Sequence, residues 1–175
     1  MGKIKGQFQP LLGQAIASVA RVALDAPDSD PSPMMDTLLL TLKDGRNFEL
    51  LVEQGHVQFE ELQTANLFAG FELEPNQQLV SYPTHAIDPL PQTIESLTET
   101  WAGEENSQFL VAVSLWDKNN AHIISVCTEG DEAEIMSLEA LRQRMDEMVF
   151  SYGFLSHQLY SSARQSQDIG VLRSA

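Results

Sequence analysis

Glu129, Asp131, Glu132 and Glu134 crowd into one short stretch, EGDEAE, the densest set of carboxylates in the chain. Carboxylate oxygens at this density could hold a hard cation, or grip Lys and Arg through charge-assisted hydrogen bonds. An EF-hand spacing is missing here. The Asp28-x-Asp30 pair runs into Pro31 and Pro33 rather than into a glycine turn. The cluster is therefore expected to be either a solvated turn or a partner-binding surface, with no metal site.

The four histidines, His56, His85, His122 and His157, have no two-histidine helical spacing and form no zinc pattern with Cys127. Cys127 lies in an apolar run, where a buried thiol is the simpler expectation than a nucleophile. A Cys–His pair such as Cys127 with His122 or His56 would have to be created by the fold. A phosphate-cradling glycine loop, a nucleophile elbow and a basic-aromatic run are all absent from the sequence. Trp101 and Trp116 are expected in the core rather than at an interface. The sequence thus offers no catalytic residue, metal or cofactor, and its one candidate site is partner binding through Glu129, Asp131, Glu132 and Glu134.

Several elements can be placed around that turn. Thr37 to Lys43 and Asn47 to Glu53 flank Asp44-Gly45, the strongest short-range hairpin signal. Val57 to Leu62 continues the alternation as a third strand. A second hairpin joins Phe109–Trp116 to His122–Thr128 through Asp117-Lys118-Asn119-Asn120, and Ala133 to Met136 follows. Leu138 to Tyr152 carries apolar residues at helical spacing, with Ser137 as N-cap and Gly153 as terminator. Its stripe is expected to bury Leu141, Met145, Met148 and Val149 and to leave Arg142, Arg144 and Glu147 in water.

Other stretches are open. Leu11 to Ala26 suits a helix by its alanines and a strand by its β-branched residues. Asp88-Pro89 could start a helix running through Leu90, Ile94, Leu97 and Trp101, while Thr93, Thr98 and Thr100 favour a strand. Asp25 to Pro33 is expected to be a loop, Leu79 to Tyr82 a short strand stopped by Pro83, and 161–175 a polar tail.

The two hairpin regions resemble each other. Ile16, Ser18 and Val19 align with Ile94, Ser96 and Leu97; Leu40, Thr41, Leu42 and Asp44 with Val113, Ser114, Leu115 and Asp117; Phe59 and Leu62 with Ile135 and Leu138. The fold class expected is α+β: antiparallel β meanders in a single compact unit over 1–175, with pseudo-repeated halves at 10–62 and 89–138. The amphipathic helix 138–152 packs on a sheet near the C-terminus.

Charge narrows the function classes. The chain holds 25 acids against 10 bases, and between Asn47 and Glu139 stand 17 acids and one base, Lys118. Such a surface repels nucleic-acid phosphates and acidic membranes and attracts basic proteins. One cysteine cannot form an internal disulfide, the apolar runs are too short for a membrane helix, and the N-terminus departs from secretory and myristoylation patterns. A cytoplasmic location is expected. These observations favour a non-catalytic acidic interaction protein that binds a basic protein partner, in concrete form a small inhibitor or immunity-type protein. An acidic secretion chaperone or adaptor is the alternative, and a hydrolase using an acid and histidine cluster is the third class. A homodimer is compatible with each.

Overall fold

The computed structural model describes residues 6–27, 29–53, 56–62, 75–85, 92–104, 107–128, 130, 132–162 and 164–173. It is mostly antiparallel sheet with one helix. A short 3-10 turn, Gln9–Leu11, leads into β1 (Ala15–Ala26), β2 (Ser29–Leu42), β3 (Asn47–Glu53), β4 (His56–Glu61) and β5 (Gln78–His85). The chain continues through β6 (Gln92–Thr93), β7 (Ser96–Ala102), β8 (Phe109–Trp116), β9 (His122–Cys127) and β10 (Glu134–Met136). The helix α1 (Leu138–Tyr152) and a last pair, β11 (Phe154–Ser161) and β12 (Arg164–Arg173), complete it.

The strands form two sheets. The first has the order β4-β3-β2-β1-β5, with β6 also on β1; the second has the order β10-β9-β8-β7-β11-β12. Each sheet therefore starts as a four-strand meander, and its fifth strand returns to pair with the first strand of the meander. The ladders coincide as well. Arg21, Leu38, Leu50 and Phe59 form one cross-strand row of the first sheet. Glu99, Val113, Val126 and Ile135 form its counterpart in the second. The next rows, Val19-Leu40-Phe48 and Leu97-Leu115-Ile124, put Leu40 opposite Leu115 in the comparison, rather than Val113 as the sequence alignment has it. A slip of two residues leaves the buried face unchanged, so the sequence pattern could not detect it.

Both sheets contribute to one core. Ile16, Val19, Leu38, Leu40, Phe48 and Leu50 of the first meet Leu97, Trp101, Val113, Leu115, Ile124 and Val126 of the second. β4 lies against β8 of the facing sheet, while Ala133, just before β10, bonds to Met35 of β2. Since β4 matches β10 and β2 matches β8, these contacts are reciprocal, as a two-fold relation between the sheets would make them. On the outer face of the second sheet α1 packs Met148 against Ala102, Val111, Cys127 and Leu155. The Ser137 hydroxyl accepts the Ala140 N–H at 3.2 Å, and Gly153 ends the helix at φ +82°. Leu141 and Met148 are buried, Met145 and Val149 half-buried, and Arg142, Arg144 and Glu147 exposed.

Three expectations need correction, and two open stretches are settled over their described parts. Within the expected loop 25–33, residues 25–26 and 29–33 are strand, with Leu24 opposite Ser32 and Ala26 opposite Ser29. β3 pairs with β2 only from Thr37 onward, so residues 29–36 are bonded on one side, where prolines lose little. β5 runs through Pro83 to His85 for the same edge-strand reason. The helical alternative for 88–101 fails over its described part, because β6 and β7 occupy it; Asp88, Pro89 and Leu90 lie outside the described residues. Residues 164–173 of the expected tail form a strand, since β12 pairs with β11 from Phe154-Arg173 to Ser161-Arg164. Of the open segment 11–26, Leu11 ends the 3-10 turn and residues 15–26 form β1, a central strand apolar on both faces, which is why it lacked clean alternation.

Candidate functional site

The acidic turn sits where the two sheets meet at an edge. Ala133 is fully buried between two exposed acids, Glu132 and Glu134. Its N–H donates to the Met35 carbonyl at 2.8 Å. Its own carbonyl accepts from Arg21 Nη2 at 2.7 Å, while Arg21 Nη1 donates to the carbonyls of Met34 and Met35 at 3.2 and 3.1 Å. Arg21 thus spends its donors on backbone and fixes the turn's position, leaving the two carboxylates facing outward. Glu134 pairs with Cys127 in the ladder of β10, a three-residue edge strand. Gly130 holds φ +72°, a conformation an L side chain resists. Glu129 and Asp131 lie outside the described residues. Among the described residues the ion pairs are Arg46 with Asp44 and Glu61, and Arg144 with Glu147; none includes Glu132 or Glu134. No group of three His, Cys, Asp or Glu among them could hold a metal.

A second acidic patch lies on β3 and β4. Glu49 stands directly opposite Glu60, and half-burial together with the charges of Glu60 and Asp36 pushes its carboxyl up to about 7. The sequence marked neither residue.

His122 bonds to a serine rather than to an acid. His122 Nε2 lies 2.7 Å from Ser125 Oγ, which lies 2.7 Å from Ser114 Oγ. A Ser–His contact of this length is the geometry of an activated nucleophile. Ser125, however, is fully buried, so a substrate carbonyl cannot reach its hydroxyl. Burial and the Arg142 charge push the His122 imidazole down, whereas the orienting group of a catalytic triad is a carboxylate. The Trp116 ring meets His122 edge-on at 5.3 Å. The three groups form a satisfied polar network beneath α1. His157 Nδ1 meets Thr100 Oγ1 at 3.0 Å in a similar cross-strand role. Cys127 is buried beside Met148 and Leu155, and Trp101 lies in the core.

The most unusual side chain was missed entirely. Glu99, on β7, is fully buried on the core face between Leu97 and Trp101. Gly6 N–H points at both of its oxygens at 3.1 Å, and the Tyr160 hydroxyl donates to Oε2 at 3.2 Å. Burial raises its carboxyl, while the Gly6 N–H, Tyr160, Trp101 and the Phe8 N–H pull the other way by stabilising the anion. A glutamate inside a threonine-rich stretch gives no outward signal of burial; only the strict alternation Leu97, Glu99, Trp101 could have revealed it. Comparison of the chain with protein-family models, with curated proteins and with solved structures finds no match.

Proposed function

We propose that this chain is a non-catalytic binding protein whose acidic face occupies a basic protein partner, in the manner of a small inhibitor or immunity-type protein. The observation that supports it is the setting of Glu132 and Glu134. Both are exposed, neither has an ion-pair partner among the described residues, and the backbone between them is bonded to the opposite sheet through Ala133. A pre-fixed pair of carboxylates loses little freedom when it meets Lys or Arg, so more of the interaction appears as affinity. Glu139, in the first turn of α1, extends the exposed acid beyond β10.

The adaptor alternative requires an apolar groove for a client segment. Among the described residues the large exposed apolar side chains are Met35, Tyr82 and Phe150, on β2, β5 and α1, too scattered to line one. The hydrolase alternative requires carboxylates and a histidine converging on one pocket, whereas His122 is bonded to the buried Ser125.

The test begins by isolating a partner on the immobilised protein at low salt and purifying it. Its affinity is then measured for the wild type and for a variant carrying Glu129→Gln, Asp131→Asn, Glu132→Gln and Glu134→Gln. The proposal expects affinity to fall by about tenfold or more and its salt dependence to flatten, with the melting temperature held. Unchanged affinity with an intact fold makes the turn a solvated edge and nothing more.

A further inference from the structure

Residues 6–14 form a strap across the space between the sheets. Its backbone bonds are mostly internal: Gln9 N–H to Gly6 O at 3.1 Å, and Leu11 to Phe8, Leu12 to Gln9 and Gln14 to Leu11 at 3.0 Å each. It is bonded to the body near its two ends. At one end Gly13 N–H donates to the Ile94 carbonyl at 2.8 Å, and the Gln14 carbonyl accepts from Ile94 N–H at 2.9 Å. At the other, Gly6 N–H is held by the Glu99 carboxylate. Both ends are glycines of positive φ, +76° at Gly13 and +81° at Gly6. A side chain at Gly6 would collide with the Gln9 amide and press on the Tyr160 ring. Between the ends, Phe8 and Leu11 are wholly buried, and the Phe8 ring lies 4.4 Å from that of Phe59. The segment has the parts of a lid: a hinge, a two-residue apolar plug and a polar latch.

We propose that residues 6–14 are a pH-gated strap, hinged at Gly13 and latched at Glu99, which lifts Phe8 and Leu11 out of the inter-sheet core as the solution becomes more alkaline. The groups facing the latch are the Tyr160 hydroxyl from β11, Trp101 of its own strand β7, and the Gly6 and Phe8 N–H groups of the strap. Of these, Tyr160 titrates, and burial and the Glu99 charge push it up, so it stays a neutral donor. No lysine, arginine or histidine among the described residues offsets the Glu99 charge. With the strap closed, the carboxyl holds its proton to higher pH than it does when water reaches it. The closed state therefore binds more protons, and raising the pH favours the open one. Linkage makes the open-to-closed ratio rise by up to about tenfold per pH unit, between the solvated and the buried carboxyl values. Opening uncovers the Phe59 ring against which Phe8 packs, and the Glu99 carboxyl with its neighbours Tyr160 and Trp101.

The experiment uses Trp101 as reporter. Trp116→Phe leaves it the one tryptophan of the chain. Acrylamide quenching of that protein should rise several-fold from pH 5 to pH 8.5 while its far-ultraviolet circular dichroism holds. Adding Glu99→Gln, which keeps the shape and removes the titration, should flatten the profile. Quenching independent of pH before that change, or an equal rise after it, overturns the gate. If Glu99→Gln does not fold, the wild type decides: deuterium uptake of residues 8–14, corrected for intrinsic exchange, must rise with pH relative to that of β7. A parallel change in both segments means global loosening and overturns the proposal.

Discussion

Glu49 and Glu99 are acids placed where the fold penalises charge, and the penalty has a sign that can be measured. Glu49 faces Glu60 across the β3–β4 ladder and has Asp36 nearby, so its folded value is raised to about 7. A group whose value is higher folded than unfolded contributes stability below the unfolded value and loses it as pH rises through the folded one. The protein should thus grow less stable between pH 5 and pH 8. Glu49→Gln should recover on the order of 1 kcal/mol at pH 8, a figure discounted for the solvent reaching this half-buried carboxyl, and almost nothing at pH 5. Urea melts of the two proteins at both pH values check it, and an equal gain at both would mean that titration is not the cause. Neither environment was legible in the chain. Glu49 and Glu60 are neighbours through a register and Glu99 is buried through a long-range contact, whereas Glu132 and Glu134 could be placed outside simply because a turn lies among acids.

Elements were legible where local chemistry decides them. Asp44 accepts the Arg46 N–H at 3.1 Å in the first hairpin, and Asp117 accepts those of Asn119 and Ala121 at 2.7 and 2.8 Å in the second, so each turn is built by its own aspartate. The helix likewise supplies its own cap and terminator in Ser137 and Gly153. Elements settled by distant partners were not legible. The proline arm of β2 is a strand because β1 pairs with it, and β7 is a strand although Ile94, Leu97 and Trp101 mimic a helical stripe. The stripe of α1, by contrast, is real. Leu141→Ala should cost about 2–5 kcal/mol in a denaturant melt, as a buried leucine does. Met145→Ala should cost less, because Met145 keeps partial contact with water. A loss at Leu141 within about 0.5 kcal/mol would show that the helix does not close the outer face.

At the scale of the molecule, the two sheets repeat one strand order and one set of ladder rows but do not repeat a core. Phe59 and Leu50 of one sheet, and Val126 and Leu115 of the other, belong to a single cluster. The equivalent rows have also diverged in role. Arg21 reaches across to the Ala133 carbonyl, whereas its counterpart Glu99 holds the N-terminal strap. The shared strand order is the arrangement that a repeat of the two halves would produce. A chain holding only residues 92–175 keeps α1 over the outer face of its sheet but loses everything opposite Leu97, Trp101, Val113 and Leu115. A sheet with one apolar face uncovered cannot offset its ordering entropy. That fragment should therefore lack a cooperative melt and bind a hydrophobic dye. Mixing it with residues 1–91 should restore a cooperative transition, since the contacts between β4 and β8 and between Ala133 and β2 need no peptide link. Cooperative melting of the isolated fragment would show that each sheet holds a sufficient core, and that the shared cluster is a docked interface between two independent domains.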